Sequence, residues 1–478
     1  MKIYQNYING VFIDNKETLD IQNPGTGKTF AQHGLADVET VNEAVQSAKQ
    51  SFIKSGFKDL RPVERGRMVR AMGDYLLNNI KEISSLLTEE AGKPLWESET
   101  EVQGAARYFE YYGNQAESIE GKSIPLGAQY YDFTVYEPYG VTAHIIPWNY
   151  PIEMTARSVS AALTTGNTCV IKSPELDPIT NRYIALAAEY AGLPQGAVNI
   201  ICGLGHIAGE ALSSHPDINQ IVFTGSVETG SKVAQNAAKN IVPCVLELGG
   251  KSGAIVFPDA DQKNLLNSVR WGIFFGAGQV CSAMSRLIVH ESIHDDVVEK
   301  IVSLAKNIQT DQGLEFPKFG NNMGAMISEK QRDRAEKMCR QAEEEGAKIQ
   351  AGGHKKNIPG FFLEPTIITN VKPDMTIAQE EVFGPVLSVI KYSTEEEALS
   401  IINGTDYGLV GGIFTKDLNK AHSLAQNIRA GQIFINEWFA GGVETPFGGF
   451  GKSGYGREKG REALWNYVQT KNIASKLS

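Results

Sequence analysis

The stretch VTAHIIPWNYPIEMTARSVSAALTTGNTCVIKSPE, Val141–Glu175, decides the fold. Val141–Pro147 is an apolar run of strand length. Pro151 suits the first turn of a helix, where its missing N–H costs nothing, and a helix is predicted over Ile152–Leu163. Thr168–Lys172 (TCVIK) is a second, buried strand. Strand, helix, strand is the repeating unit of a parallel sheet.

Working outward, the alternation continues. A helix is predicted over Asn181–Ala191, a strand over Ala197–Cys202 and a helix near Ala208–Ser214. Then come a strand at Gln220–Thr224 (QIVFT) and a helix from Ser226 to about Lys239. This is the pattern of a parallel doubly wound sheet. It resumes after Gly249, with apolar runs at Gly253–Phe257, Ser285–His290, Val386–Ile390 and Gln432–Asn436. A second α/β unit is therefore expected over about 249–447. Ser123–Glu137 differs: Tyr130, Tyr131, Phe133, Val135 and Tyr136 make a β-like pattern that interrupts the first unit. It is expected to pair with the tail Asn466–Ile473 as an oligomerisation arm.

The 478 residues suffice for about three domain-sized units. A net charge of −10 gives no global electrostatic reason to bind nucleic acid or anionic lipid. The opening MKIYQNYING lacks the apolar stretch of a secretory signal, and no run approaches the roughly 20 apolar residues of a bilayer span. Five scattered cysteines, Cys169, Cys202, Cys244, Cys281 and Cys339, suggest neither a disulfide framework nor a CxxC metal site. A reducing cytoplasm is the simplest expectation.

Three residues carry candidate chemistry. Cys281 lies in FFGAGQVCSAMSR, where Gly276, Ala277 and Gly278 leave room beside a thiol. Read alone, it fits an inert buried cysteine better than a nucleophile. Glu247 lies in LELGGKS between two leucines; partial desolvation would raise its pKa and suit a base that activates water. Its plain alternative is a residue bridging a strand end. Asn149, in IIPWNYP, stands between a strand and a helix, where its amide can donate to a developing oxyanion or simply cap the helix.

Together these pieces resemble the NAD(P)-dependent aldehyde dehydrogenase superfamily over nearly the whole chain. The motifs that carry the resemblance are PWNYP, KSPE, FTGS, LELGGKS, GQVCSA, EEVFGPV and TPFGGFGKSGYGRE. It implies an aldehyde dehydrogenase-like α/β fold. A Rossmann-type doubly wound cofactor domain (1–122 and 138–248) is joined by a catalytic α/β domain (249–447) and a small β arm (123–137 and 448–478), in a homodimer or homotetramer. It implies Cys281 as nucleophile, Glu247 as general base, and Asn149 with the Cys281 N–H as oxyanion hole. For the cofactor it implies contacts from Ile146, Pro147, Trp148, Lys172, Ser173, Glu175, Gly225, Ser226, Leu248, Gly249, Glu381 and Phe383. Lys172 and Glu175 would hold the adenosine ribose, which favours NAD while leaving NADP open. Gly225–Ser226, opening a helix, would face the pyrophosphate.

Some strings mislead. Gly203–Gly209 (GLGHIAG) is one residue too long for GxGxxG, so this loop reads as structural, with Gly205 kept as a candidate cofactor neighbour. Gly250-Lys251-Ser252 and Gly451-Lys452-Ser453 lack the earlier glycine of a P-loop. For the small-molecule aldehyde, Tyr150, Met154 and Arg157 share a helix face that starts at Asn149. Arg157 suggests an acidic semialdehyde. Trp438 and Phe439, with Glu437 and Glu444, form another candidate wall, which would suit a cationic aldehyde such as betaine aldehyde. Intact Glu247 weighs against a CoA-acylating enzyme, and the intact set of three against a non-catalytic protein.

Overall fold

The computed structural model describes residues 1–477. Two twisted sheets face one cavity. The first has eight strands, in the order Gly454–Tyr455, Cys244–Glu247, Gln220–Thr224, Val141–Ile145, Thr168–Ser173, Val198–Cys202, Asn6–Ile8, Val11–Ile13. Its five central strands are parallel, with Val141 opposite Thr168 and Gln220 opposite Thr142. Both edges are antiparallel. The central strands are apolar runs because helices cover both faces.

The helix Pro151–Thr164 follows the first predicted strand as expected. Ser226 caps the helix Val227–Lys239, its hydroxyl accepting from the Thr229 N–H. The helix expected near Ala208–Ser214 is shortened to Glu210–Ser213, because Gly205–Gly209 forms a wide π turn before it. Ahead of these lie four helices, Val38–Lys54, Pro62–Asn78, Ile80–Ala91 and Leu95–Asn114. The last packs Val102, Ala105 and Phe109 into the core beside Ile152, Ala156 and Val159 of Pro151–Thr164.

The second sheet has seven strands, ordered Lys348–Ala351, Thr366–Thr369, Val386–Tyr392, Arg286–His290, Gly253–Val256, Val410–Phe414, Gln432–Ile435. Only the first of these is antiparallel. The aromatic segment pairs with the tail, but as Tyr130–Pro138 against Val468–Lys476, while Ser123 folds back on Phe133. The expected tail boundary at 448 moves. Gly454–Tyr455 adds to the first sheet beside Cys244–Glu247, and Ala463, Leu464 and Tyr467 are buried in that unit's core, so the arm's return strand starts at Val468. Among the described residues no helix is long and apolar enough to cross a membrane.

Candidate active site

The parallel strands of the first sheet end in the wall of a cavity of about 1360 Å³, where open α/β folds place their ligands. Thr224 and Glu247 end two neighbouring strands and are register partners. Asn149 follows a third strand, Val141–Ile145. The second sheet's unit supplies Cys281, Glu381 and Phe383 to the same cavity.

Cys281 is presented by a constrained loop. Gly276, Ala277 and Gly278 are successive left-handed residues, with φ of 58°, 53° and 70°. Gly278 has no alternative: a Cβ there would lie 2.2 Å from the Gly384 carbonyl oxygen. Gln279 ties the loop down, its Nε2 donating to the Gly276 carbonyl and its Oε1 accepting from the Ile327 N–H. Asn149 Nδ2 donates to the Gln279 carbonyl at 2.9 Å, which fixes the amide beside the cysteine loop. Burial pushes the Cys281 thiol up to about 12, with Arg157 pulling the other way. The resting thiol is therefore protonated, and ionisation needs a base or a bound ligand.

Glu247 is 2 % exposed, and neither carboxylate oxygen has a partner. Burial raises its pKa well above the usual carboxylate range; Arg157 opposes this and Glu458 adds to it. An orphaned, cavity-facing carboxyl is costly for folding and suited to taking a proton from water.

The cofactor side accounts for most of the expected contacts. Pro147, Trp148, Gly225, Ser226, Leu248, Gly249, Glu381 and Phe383 line the cavity. Gly249 is the telling one: a Cβ there would fall 2.2 Å from Glu381 Oε2. Glu381 accepts from the Gly250 N–H at 2.9 Å, and burial raises it to about 7. Phe383, at φ 58°, meets Trp148 edge to face at 5.2 Å. Lys172 Nζ pairs with Glu175 at 2.9 Å, and Gly205 adjoins the Glu175 carboxylate. These three stand together outside the cavity wall. Burial works against the Glu175 charge, but Lys172 holds its pKa below the usual range. Two expected contacts are not brought to the site. Ile146 is buried with its N–H on the Lys172 carbonyl, and Ser173 Oγ accepts from Asn181. Lys251, of the first GKS string, is fully buried without a partner, and burial lowers it to about 7.

On the substrate side, Tyr150, Met154, Arg157 and Phe439 line the cavity. Trp438 does not. It is buried in the second unit's core, donating to the Ser282 carbonyl at 3.0 Å, so it supports the cysteine loop from behind. Glu437 points to solvent and Glu444 pairs with Arg107. Arg157 also departs from expectation. It is ion-paired with Glu458, both nearly inaccessible, and donates to Thr224 Oγ1. Burial works against its charge, and Glu458 and Glu247 more than reverse that. Its charge is balanced within the protein. Glu101, Glu153, Lys459 and an aromatic group, Trp96, Trp271, Phe275 and Phe319, complete the substrate side and were not singled out from sequence. Glu153 offered a weak signal, three residues after Tyr150 on the same helix; Lys459 offered none.

The aldehyde dehydrogenase family model matches residues 12–473. The chain belongs to the aldehyde dehydrogenase family. Aldehyde dehydrogenase family 2 member B4 of Arabidopsis thaliana is 40% identical over 98% of this chain and 88% of its own. The aldehyde dehydrogenase of Bacillus cereus, solved as an NAD+ complex, superposes with a TM-score of 0.97 at 34% identity, covering 100% of this chain and 97% of that one. Betaine aldehyde dehydrogenase of Staphylococcus aureus, also solved with NAD+, gives 0.96 at 34% identity over 99% and 94%. As an aldehyde dehydrogenase the protein oxidises a small-molecule aldehyde with NAD(P) as acceptor. The cavity fits that cofactor: it has a helix N-terminus at Gly225–Ser226, a side-chain-free gap at Gly249 and a facing carboxylate in Glu381.

Proposed function

We propose that Cys281 is the nucleophile, Asn149 the oxyanion donor and Glu247 the base of a hydrolytic aldehyde dehydrogenase. The observation that carries this is their meeting in one cavity, with Glu247 unpartnered. Cys281 gives its proton to Glu247, which returns it to solvent before hydrolysis; the thiolate adds to the aldehyde carbon, and the new oxyanion receives the Asn149 amide and the Cys281 N–H. Bound NAD supplies the hydride acceptor. The thioester left on Cys281 is hydrolysed by water that gives its proton to Glu247. Glu247→Gln should therefore accumulate acyl-enzyme. A near-stoichiometric NADH burst is expected, with steady turnover lost and an acyl mass added on Cys281; equal loss of burst and turnover would sink the assignment.

Lys172 and Glu175 are assigned to the adenosine ribose. A carboxylate there accepts from a free 2′-hydroxyl and repels a 2′-phosphate. NAD should show the higher kcat/KM, and a preference for NADP would remove the assignment. The acidic semialdehyde loses its original motive, because Glu458 already occupies Arg157. The first sheet with its helices is assigned to cofactor binding, the second to catalysis, and Tyr130–Pro138 with Val468–Lys476 to assembly into a homodimer or homotetramer. Five free cysteines favour a reducing compartment, the cytoplasm.

A further inference from the structure

Four ionisable side chains stand in the substrate side of the cavity wall: Glu101, Glu153, Arg157 and Lys459. Two are neutralised by buried partners, Glu101 by Lys93 and Arg157 by Glu458. Glu153 and Lys459 make no ion pair among the described residues, either with each other or with a third group. Partly buried charges are ordinarily paired, because desolvation otherwise costs more than it returns. Two ionisable groups of opposite sign on one cavity wall, neither in an ion pair, therefore point to a ligand.

Each is deliberately placed. Glu153 lies in the first turn of Pro151–Thr164, four residues after Asn149. Its carboxylate occupies a notch that Gly104 leaves open on the facing helix: a Cβ on Gly104 would lie 3.0 Å from Oε1. Burial and the neighbouring Glu101 carboxylate push Glu153 up to about 7, so a cation arriving there would relieve like-charge crowding. Lys459 is a left-handed non-glycine residue, φ 61°. That conformation is strained for a residue with a side chain and persists only where neighbours enforce it. They do: Glu458 exchanges both backbone hydrogen bonds with Phe447, and the Gly460 N–H is held by the Val443 carbonyl. The ammonium is left 5.8 Å from the Phe447 ring, where burial and Arg157 pull its pKa down and the more distant carboxylates of Glu153 and Glu444 pull it up.

We propose that the cavity selects an aldehyde whose far end carries both an ammonium and a carboxylate, the semialdehyde of an amino acid, with Glu153 receiving the ammonium and Lys459 the carboxylate. This rests on Cys281 being the nucleophile in the same cavity. A tail bearing only a carboxylate leaves Glu153 unmatched, and one bearing only an amine leaves Lys459 unmatched.

The test compares kcat/KM for four short aldehydes: butanal, 3-aminopropanal, succinate semialdehyde and aspartate semialdehyde. Wild type should favour aspartate semialdehyde over both singly charged aldehydes. Each charge-assisted contact is expected to be worth about ten- to a hundredfold in kcat/KM. Glu153→Gln should lower the ratio of 3-aminopropanal to butanal by that factor and leave the ratio of succinate semialdehyde to butanal undiminished. Lys459→Met should do the reverse. The proposal is overturned if wild type prefers butanal or a singly charged aldehyde, or if either variant lowers all four substrates together. Cys281→Ser separates this from the underlying reading: a serine variant that still oxidises butanal overturns the nucleophile rather than the tail contacts.

Discussion

Asn149 is tied to the cysteine loop by its amide, which leaves it placed for the oxyanion role proposed for it. Its amide has two N–H groups, and the Gln279 carbonyl takes one at 2.9 Å. That bond orients the amide, leaving the second N–H for an oxyanion formed at Cys281. Removing one such donor costs about a hundred- to a thousandfold in kcat. Asn149→Ala should show that loss in single-turnover NADH formation while NAD binding, followed by fluorescence titration, persists. Unchanged single-turnover rates would reduce Asn149 to a structural tether. The three residues proposed for the chemistry were legible as candidates because each sits in a local setting that suits its proposed part: glycines before the thiol, leucines around the carboxyl, a strand-to-helix corner for the amide. Arg157 was legible as a charge on the right helix face and illegible in its role. Its partner Glu458 comes from the far end of the chain, and no local pattern announces a long-range ion pair.

At the scale of elements, the surroundings of Glu247, the proposed base, are set by three segments meeting. The strand Cys244–Glu247 carries Glu247, the helix Pro151–Thr164 carries Arg157, and the segment after Gly454–Tyr455 carries Glu458. Arg457 also faces Glu247 and draws its pKa down. One guanidinium shared between two buried carboxylates keeps Glu247 from being fully stabilised as an anion. The sign of the consequence follows. Glu247 must be ionised to accept a proton, so hydrolysis rises as pH passes upward through its elevated pKa. Glu458→Gln removes a carboxylate that raises Glu247 and frees the guanidinium that lowers it. The acid limb of kcat, measured where the NADH burst shows hydrolysis to be limiting, should move to lower pH. An unmoved limb with reduced stability would leave Glu458 a purely structural role. The parallel strands were readable because strands buried on both faces are apolar runs. Trp438 was misplaced for the opposite reason: beside Phe439, whose φ of 64° turns the chain, neighbours in sequence face opposite ways.

For the whole molecule, the cavity and the arm differ in how they are built. The cavity draws its lining from the units of both large sheets. The arm is different. Tyr130–Pro138 and Val468–Lys476 form a sheet of only two strands. In the second strand only Val468 is buried, and Tyr131 and Ile473 are 66% and 38% exposed. A two-stranded ribbon is marginal in water unless something packs on it or extends it. The ion pair of Lys471 with Glu137 and the hydrogen bond from Asn472 to Asp132 hold the two strands to each other but cover neither face. The sequence marked this segment as β-like through its alternating aromatics, while its register depended on where the preceding 461–467 turn docks in the core. Truncation after Tyr467 removes the return strand and leaves the buried Ala463, Leu464 and Tyr467 in place. The full chain should sediment as a dimer or tetramer, and the truncated chain as a monomer that still binds NAD. A truncated protein of unchanged mass would show that the subunits associate through another surface, and a monomeric full chain would end the assignment of the arm to assembly.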